Sequence, residues 1–143
     1  MKGISMDDEN LVYLLDFAKD RLKSAENTSN HNRVVDYRLS SYTIVNFYNV
    51  VLLNAGKKLG SDVKEGHDIN KKLFTISQEL PELLDESDLI DKVLSIRNSI
   101  SHSDISIPKK SKLKHVVSSA ESFKGYIENL VKNKIKDVKK GKH

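Results

Sequence analysis

The chain has 143 residues, of which 38% are hydrophobic and 31% are charged, and it contains neither cysteine nor tryptophan. Its length fits one domain with a buried core. The lack of cysteine excludes disulfides, cysteine-ligated zinc and thiol catalysis. Six glycines and two prolines are few for the tight turns of an all-β fold, so the composition favours a helical domain.

Charge is distributed unevenly along the chain. The net charge is +4, but residues 1–108 carry 13 basic against 17 acidic residues, whereas residues 109–143 carry 11 lysines against 3 acids. A basic segment of this kind suits contact with a polyanion, because each lysine near a phosphate releases counterions. A solvated lysine-rich tail is the alternative interpretation.

The sequence shows no apolar segment of a signal peptide and no run of about 18 apolar residues. We therefore expect a cytoplasmic protein that does not contact a membrane.

Apolar residues spaced three and four apart predict a first helix that Asp7 or Asp8 caps and that ends near residues 27–30. A second helix, from about residue 34 to 58, is apolar on several sides, so we expect it to be central and to contact most of the others. Gly56 and Gly60 are predicted to end it. We expect its aromatic residues to lie in the core rather than to stack on bases. They are Tyr37, Tyr42, Phe47 and Tyr48.

Asp68 is the predicted cap of a third helix, which includes Leu80, and Pro81 either breaks this helix or restarts the chain in a short turn. The fourth helix begins near residues 85–88 and runs into Arg97 and His102.

We expect residues 105–110 to connect this helix to the next, because Pro108 disfavours the helical conformation at the preceding residue. Ser111 then caps a long last helix, which frays at residues 139–143, within a lysine-rich end at about residues 132–143. The sequence thus predicts a single all-α domain over residues 1–143, a four- to five-helix antiparallel bundle.

The segment Arg97, Asn98 and His102 carries the clearest chemistry. Arginine offers a rigid fork of donors to a phosphate, and histidine exchanges a proton near neutral pH. Positions five apart on a straight α-helix are about 140° apart around its axis, so Arg97 and His102 do not share a face. A change of helical winding after Asn98, or a helix that ends just before His102, would bring the two side chains together.

The same residues also have a purely structural interpretation. In that case Arg97 pairs with Asp91 or Asp104 at the surface, and His102 is a helix C-cap that the helix dipole stabilises. Asn98 then simply faces solvent.

The pattern Arg97-Asn98-x-x-x-His102 resembles the R-x4-H signature of the HEPN superfamily. The resemblance implies an HEPN-like bundle with the motif near the end of a late helix, and a homodimer in which the two motifs face each other. It also implies metal-independent RNA cleavage, in which the ribose 2′-hydroxyl attacks the adjacent phosphorus and leaves a 2′,3′-cyclic phosphate. His102 would act as general base or acid, Arg97 would stabilise the pentavalent phosphate, and Asn98 would orient a phosphate oxygen or the histidine ring.

On this interpretation the partner is tRNA or mRNA, no cofactor or metal is needed, and the role is that of a toxin or defence effector. The terminal lysines and a group near the start of the last helix would bind the RNA backbone. That group is Lys109, Lys110, Lys112 and Lys114.

Two alternatives remain. One is an HEPN module that binds a nucleotide, an RNA or a nucleotidyltransferase partner without cleavage, and the other is a helical adaptor with an accidental motif. In HEPN toxins that pair with a nucleotidyltransferase antitoxin, the motif continues as His-x-Tyr and the tyrosine is modified. Asp104 occupies that position here, which excludes this form of control and weakens the toxin–antitoxin assignment.

Overall fold

The computed structural model describes the backbone of residues 3–27, 32–61, 69–101 and 107–141, and the side chains of residues 9–27, 32–61, 69–99 and 110–137. Within these ranges it contains α-helices and one 3-10 helix, and no strand, which confirms the predicted all-α class. The elements are α1 (Gly3–Glu26), α2 (Arg33–Leu59), α3 (Ile69–Ser77), the 3-10 helix (Pro81–Glu86), α4 (Ser87–Ser101) and α5 (Ile107–Gly141). In the described part of the chain, no helix is apolar over a length sufficient to cross a membrane.

The central helix is α2, as its apolar pattern predicts, and it packs against each of the other four α-helices. Phe47 and Tyr48 are fully buried on it, and the Tyr48 ring lies 5.0 Å from that of Phe123 in α5. The Tyr48 hydroxyl donates a hydrogen bond of 2.7 Å to the carbonyl oxygen of Val116 in α5, so this buried polar group is satisfied. Among the predicted core aromatics, Tyr42 is the exception, because 64% of its surface is exposed.

Polar contacts as well as apolar ones join α1 and α2 into an antiparallel hairpin. Asp36 of α2 is buried, and its carboxylate accepts hydrogen bonds from Arg21 at 3.2 Å and from the Ser24 hydroxyl at 2.8 Å. The Ser40 hydroxyl donates to the carbonyl oxygen of Ala18 at 2.8 Å. Since a buried carboxylate is costly unless it is paired, these contacts specify how the two helices align.

Gly60 ends α2, as predicted, with φ at 72° in the left-handed region that glycine adopts without strain. The Gly60 N–H donates to the Lys57 carbonyl at 3.2 Å, and the Ser61 N–H donates to the Gly56 carbonyl at 2.9 Å. This pattern satisfies carbonyl groups of the last helical turn. Asp68, the predicted cap of α3, lies outside the described residues.

The start of α5 differs from the prediction. Ile107 is its first residue and Pro108 its second, so Ser111 lies within the helix rather than at its cap. Proline is compatible with the first helical turn, where its missing N–H has no partner to lose and its fixed φ suits the helix. At its other end α5 continues to Gly141, further than the predicted fraying allows.

Two other boundaries also shift. The first helix begins at Gly3, so Asp7 and Asp8 lie inside it; a capping side chain favours a helix start but is not required for one. Leu80 follows the end of α3 rather than lying in it, yet it is buried, because Pro81 starts a 3-10 turn that keeps the chain against the core.

We expect the Asp36→Ala variant to lower the free energy of unfolding by about 1–3 kcal/mol, because it removes charged hydrogen bonds from a buried position. Asp20 is the matched control: it also pairs with Arg21, at 3.0 Å, but 69% of its side chain is exposed. Asp20→Ala should change stability little. Urea unfolding of both variants measures the difference, and equal losses would contradict the role assigned to Asp36.

Stability should also depend on pH through Tyr48. Burial, with a smaller contribution from Glu86, raises the pKa of its phenol above the ordinary range. The unfolded chain releases this proton near pH 10 and the folded chain does not. The contribution of the protonated Tyr48 phenol to the free energy of unfolding is therefore complete below about pH 10 and is lost as the pH rises further.

We therefore expect the free energy of unfolding to fall above about pH 10, and to fall less steeply in Tyr48→Phe. Urea unfolding at a series of alkaline pH values provides the measurement. The Tyr13→Phe variant, at a position 73% exposed, controls for the loss of a tyrosine and should keep the wild-type slope. Parallel curves for wild type and Tyr48→Phe would refute the assignment.

Candidate functional site

The motif lies at the C-terminal end of α4. Arg97 is half-buried and Asn98 is exposed, and the α-helix continues through Ser101. The winding therefore stays α-helical after Asn98, which removes one of the two geometries considered for bringing the motif residues together. His102 follows the last residue of α4 in the sequence and lies outside the described residues.

Buried neighbours hold this end of α4 in the protein. Ile96, which precedes Arg97, is 2% exposed, and Ser99, which follows Asn98, is 4% exposed. The Ser99 hydroxyl donates to the carbonyl oxygen of Ser95 at 2.9 Å, which satisfies it within the helix. Asn98 thus lies on the exposed side of this helical end, whereas Arg97 lies at the edge of its buried side, near the buried Ile90 and Val93.

Lys112 connects α5 to this end of α4. Its Nζ donates a hydrogen bond of 3.2 Å to the Ser95 hydroxyl. Ser95 and Arg97 are two positions apart, and so lie about 160° apart around the helix, whereas Asn98, three positions from Ser95, lies about 60° from it. The structure therefore brings Lys112 to the flank of α4 that carries Asn98, and not to the flank that carries Arg97.

The other lysines predicted to bind RNA also have partners within the protein. Lys110 Nζ lies 4.9 Å from the ring centroid of Tyr37 in α2, and Lys114 Nζ pairs with Glu26 of α1 at 3.2 Å. With Lys112 bonded to α4, these three lysines each connect α5 to a different helix. Sequence reasoning missed this role, because the contacts join residues far apart in the chain. The side chain of Lys109 lies outside the described residues.

The basic C-terminal quarter is divided into two groups by the geometry of α5. Lys132 and Lys136 are exposed near its far end, about 30 and 36 Å from Lys112 at 1.5 Å per residue. Glu121 and Glu128 lie between the two groups. One small ligand at the motif therefore cannot contact both groups of lysines.

The remaining candidates add no site around the motif. His115 is exposed, and so is Asp91, one of the two proposed partners of Arg97; the other, Asp104, lies outside the described residues. Among the described side chains, no group of three His, Asp or Glu has the arrangement of a metal site.

Two concavities occur away from the motif. One, of about 600 Å³, is open to solvent along α1, and the other, of about 30 Å³, lies between α1, α2 and α5. Arg97 and Asn98 line neither of them.

Comparisons of this chain with models of protein families, with curated proteins and with solved structures give no match. The HEPN assignment thus remains a prediction that rests on Arg97, Asn98 and His102 and on the helical class of the chain.

Proposed function

We propose that this protein is a metal-independent endoribonuclease of the HEPN type, which acts on tRNA or mRNA in the cytoplasm as a toxin or defence effector. The observation that supports the proposal is the position of the half-buried Arg97 and the exposed Asn98 near the C-terminal end of a late helix, with His102 immediately after the helix in sequence. Asn98 is on the side of the helix away from the core, and Arg97 lies at the border between that side and the buried residues Ile90 and Val93, where the proposal places the phosphate.

The proposed reaction needs two groups from the motif. His102, as general base, takes the proton of the ribose 2′-hydroxyl while the oxygen attacks the adjacent phosphorus. The guanidinium of Arg97 stabilises the additional negative charge of the pentavalent phosphate, and the 5′-oxygen leaves and takes up a proton. The products are a 2′,3′-cyclic phosphate and a free 5′-hydroxyl.

The proposal includes a homodimer, which the resemblance implies. A nucleotidyltransferase or another antitoxin is a further possible partner. A non-catalytic HEPN module that binds a nucleotide, an RNA or such a partner is the alternative. The two differ in product chemistry, because only cleavage generates cyclic phosphate ends.

We expect the wild-type protein to cleave tRNA in EDTA and to leave 2′,3′-cyclic phosphate ends. Both Arg97→Ala and His102→Ala should lower the cleavage rate by about 10²–10⁴-fold, the range that a general acid or base contributes. Arg97→Lys should restore little, because lysine keeps the charge but lacks the planar fork of donors. Gel electrophoresis with end-specific chemistry of the fragments provides the measurement.

His115→Ala is the matched control, because it removes an exposed histidine from α5 away from the motif and should leave cleavage unchanged. A substrate with 2′-deoxyribose at the cleaved position should remain intact. RNA that is bound but never cleaved by the wild type would favour the binding module, and cleavage that survives His102→Ala would contradict the proposed mechanism.

The lysines at the far end of α5 should add to RNA binding when the RNA is long enough to reach them. In a His102→Ala background, which keeps the RNA intact, Lys132→Gln/Lys136→Gln should reduce the slope of log K against log salt. The reduction should be about 0.7–0.9 for each phosphate that these two lysines neutralise in the parent protein. The measurement uses a labelled hairpin of roughly 16 base pairs.

Lys19→Gln/Lys23→Gln is the control, because it removes the same charge from exposed positions of α1. Equal effects of the two double variants would show that net charge, rather than position on α5, determines binding.

A further inference from the structure

Large apolar side chains are exposed on the outside of the α1–α2 hairpin. Of the nine such side chains that the structure describes as exposed, five belong to this surface, which we call the outer hairpin face. They are Tyr13 and Phe17 of α1 and Val35, Leu39 and Tyr42 of α2. The largest exposed apolar patch on a protein is often a functional one.

The α1 residues of this face lie on the flank that borders α2. Phe17, Arg21 and Ser24 follow one another at spacings of four and three and so form one stripe along the helix. Arg21 and Ser24 both bond to Asp36 of α2, and the Arg21 guanidinium lies 5.8 Å from the centroid of the Phe17 ring. Phe17 is therefore next to α2, and Tyr13 lies one helical turn away on the same side.

The α2 residues lie directly across the hairpin. Val35, Leu39 and Tyr42 have the same four-and-three spacing, on the side of α2 away from Tyr48, which bonds to α5. Leu39 precedes Ser40, whose hydroxyl bonds to the carbonyl of Ala18, the residue after Phe17. Leu39 and Phe17 thus lie at the same level of the hairpin, and the two stripes form one surface.

We propose that the outer hairpin face is the surface through which two copies of this chain form a dimer. Its five side chains leave about 500 Å² exposed per copy, given their exposed fractions and side-chain areas of roughly 150–250 Å². A stable interface buries about 800 Å² per partner. The polar residues around the outer hairpin face supply the area that the five apolar side chains do not.

The charges at that edge suit a second copy better than a polyanion. The outer side of α1 beside Tyr13 and Phe17 carries two acidic and two basic residues, which leaves it without net charge. They are Asp16, Lys19, Asp20 and Lys23. A two-fold contact brings the same surface together from both copies, so a single-sign edge would repel itself, whereas a balanced edge presents opposite charges to its partner. On the α2 side the exposed Arg38, three and four positions from Val35 and Tyr42, adds one positive charge, which is little attraction for a nucleic acid.

This dimer differs from the one that the HEPN resemblance implies. The outer hairpin face is on the opposite side of α2 from the surface that packs against α4 and α5, and the motif is on α4. Two copies joined through the hairpins therefore carry their motifs away from the shared interface. The inference does not depend on ribonuclease activity.

Sedimentation velocity over a wide concentration range tests the proposal. The wild type should form a dimer, and Tyr13→Asp/Tyr42→Asp should raise the Kd of dimerisation by about 10-fold or more, because it places charge at the two most exposed positions of the face. Phe74→Asp/Leu84→Asp is the matched control: it introduces the same charge at side chains 69% and 54% exposed outside this face, and should leave the dimer intact.

Asn98→Arg separates the two possible interfaces, since it adds a bulky charge beside the motif on α4. Under the present proposal the Asn98→Arg protein remains dimeric. Circular dichroism of every variant verifies that it is folded. A monomeric wild type overturns the proposal, and so does a dimer that Asn98→Arg dissociates while Tyr13→Asp/Tyr42→Asp leaves it intact.

Discussion

The burial of α2 among four other helices is the constraint on which the rest of the structure depends. Polar groups on a helix that is covered on several sides are costly without partners, and α2 satisfies two of them, on Tyr48 and Asp36, with partners on different helices. The Tyr48 hydroxyl uses a carbonyl of α5, and Asp36 uses Arg21 and Ser24 of α1. Because the alternative to each contact is an unsatisfied buried group, these bonds select one alignment of the helices out of the many that apolar packing alone would tolerate.

The position of the motif follows from that alignment. The fourth helix packs against α2 and α5, and Lys112 bonds to Ser95 on the flank of α4 that carries Asn98. Lys110, Lys112 and Lys114 together connect the beginning of α5 to three helices. The ammonium groups that the sequence suggests are free to bind RNA therefore already have partners within the protein. The exposed pair between Lys114 and Glu26 is weak enough for a phosphate to replace, whereas the half-buried Lys112 is less accessible.

The two sides of α2 present different surfaces. The side of α2 that faces α4 and α5 is covered, and the motif lies on α4 in that part of the molecule. Away from them, together with α1, it exposes aromatic and aliphatic side chains in a continuous stripe. A contact made through the hairpin and a reaction at the end of α4 do not compete for the same residues, so association and chemistry are physically separable in this fold.

The sequence by itself determined the helical class, the central place of α2 and the end of α2 at Gly60, because apolar periodicity and glycine conformation are local properties. It also located Arg97 and Asn98 near the end of a helix. Its errors were local as well: Pro108 indicates either a connector or a first helical turn, and only the surrounding packing distinguishes them.

What the tertiary structure alone decided is which distant residues meet. The pairing of Lys112 with Ser95, the division of the lysines into two groups some 30 Å apart, and the union of two apolar stripes into the outer hairpin face each depend on how separate helices are aligned, which no short stretch of sequence encodes.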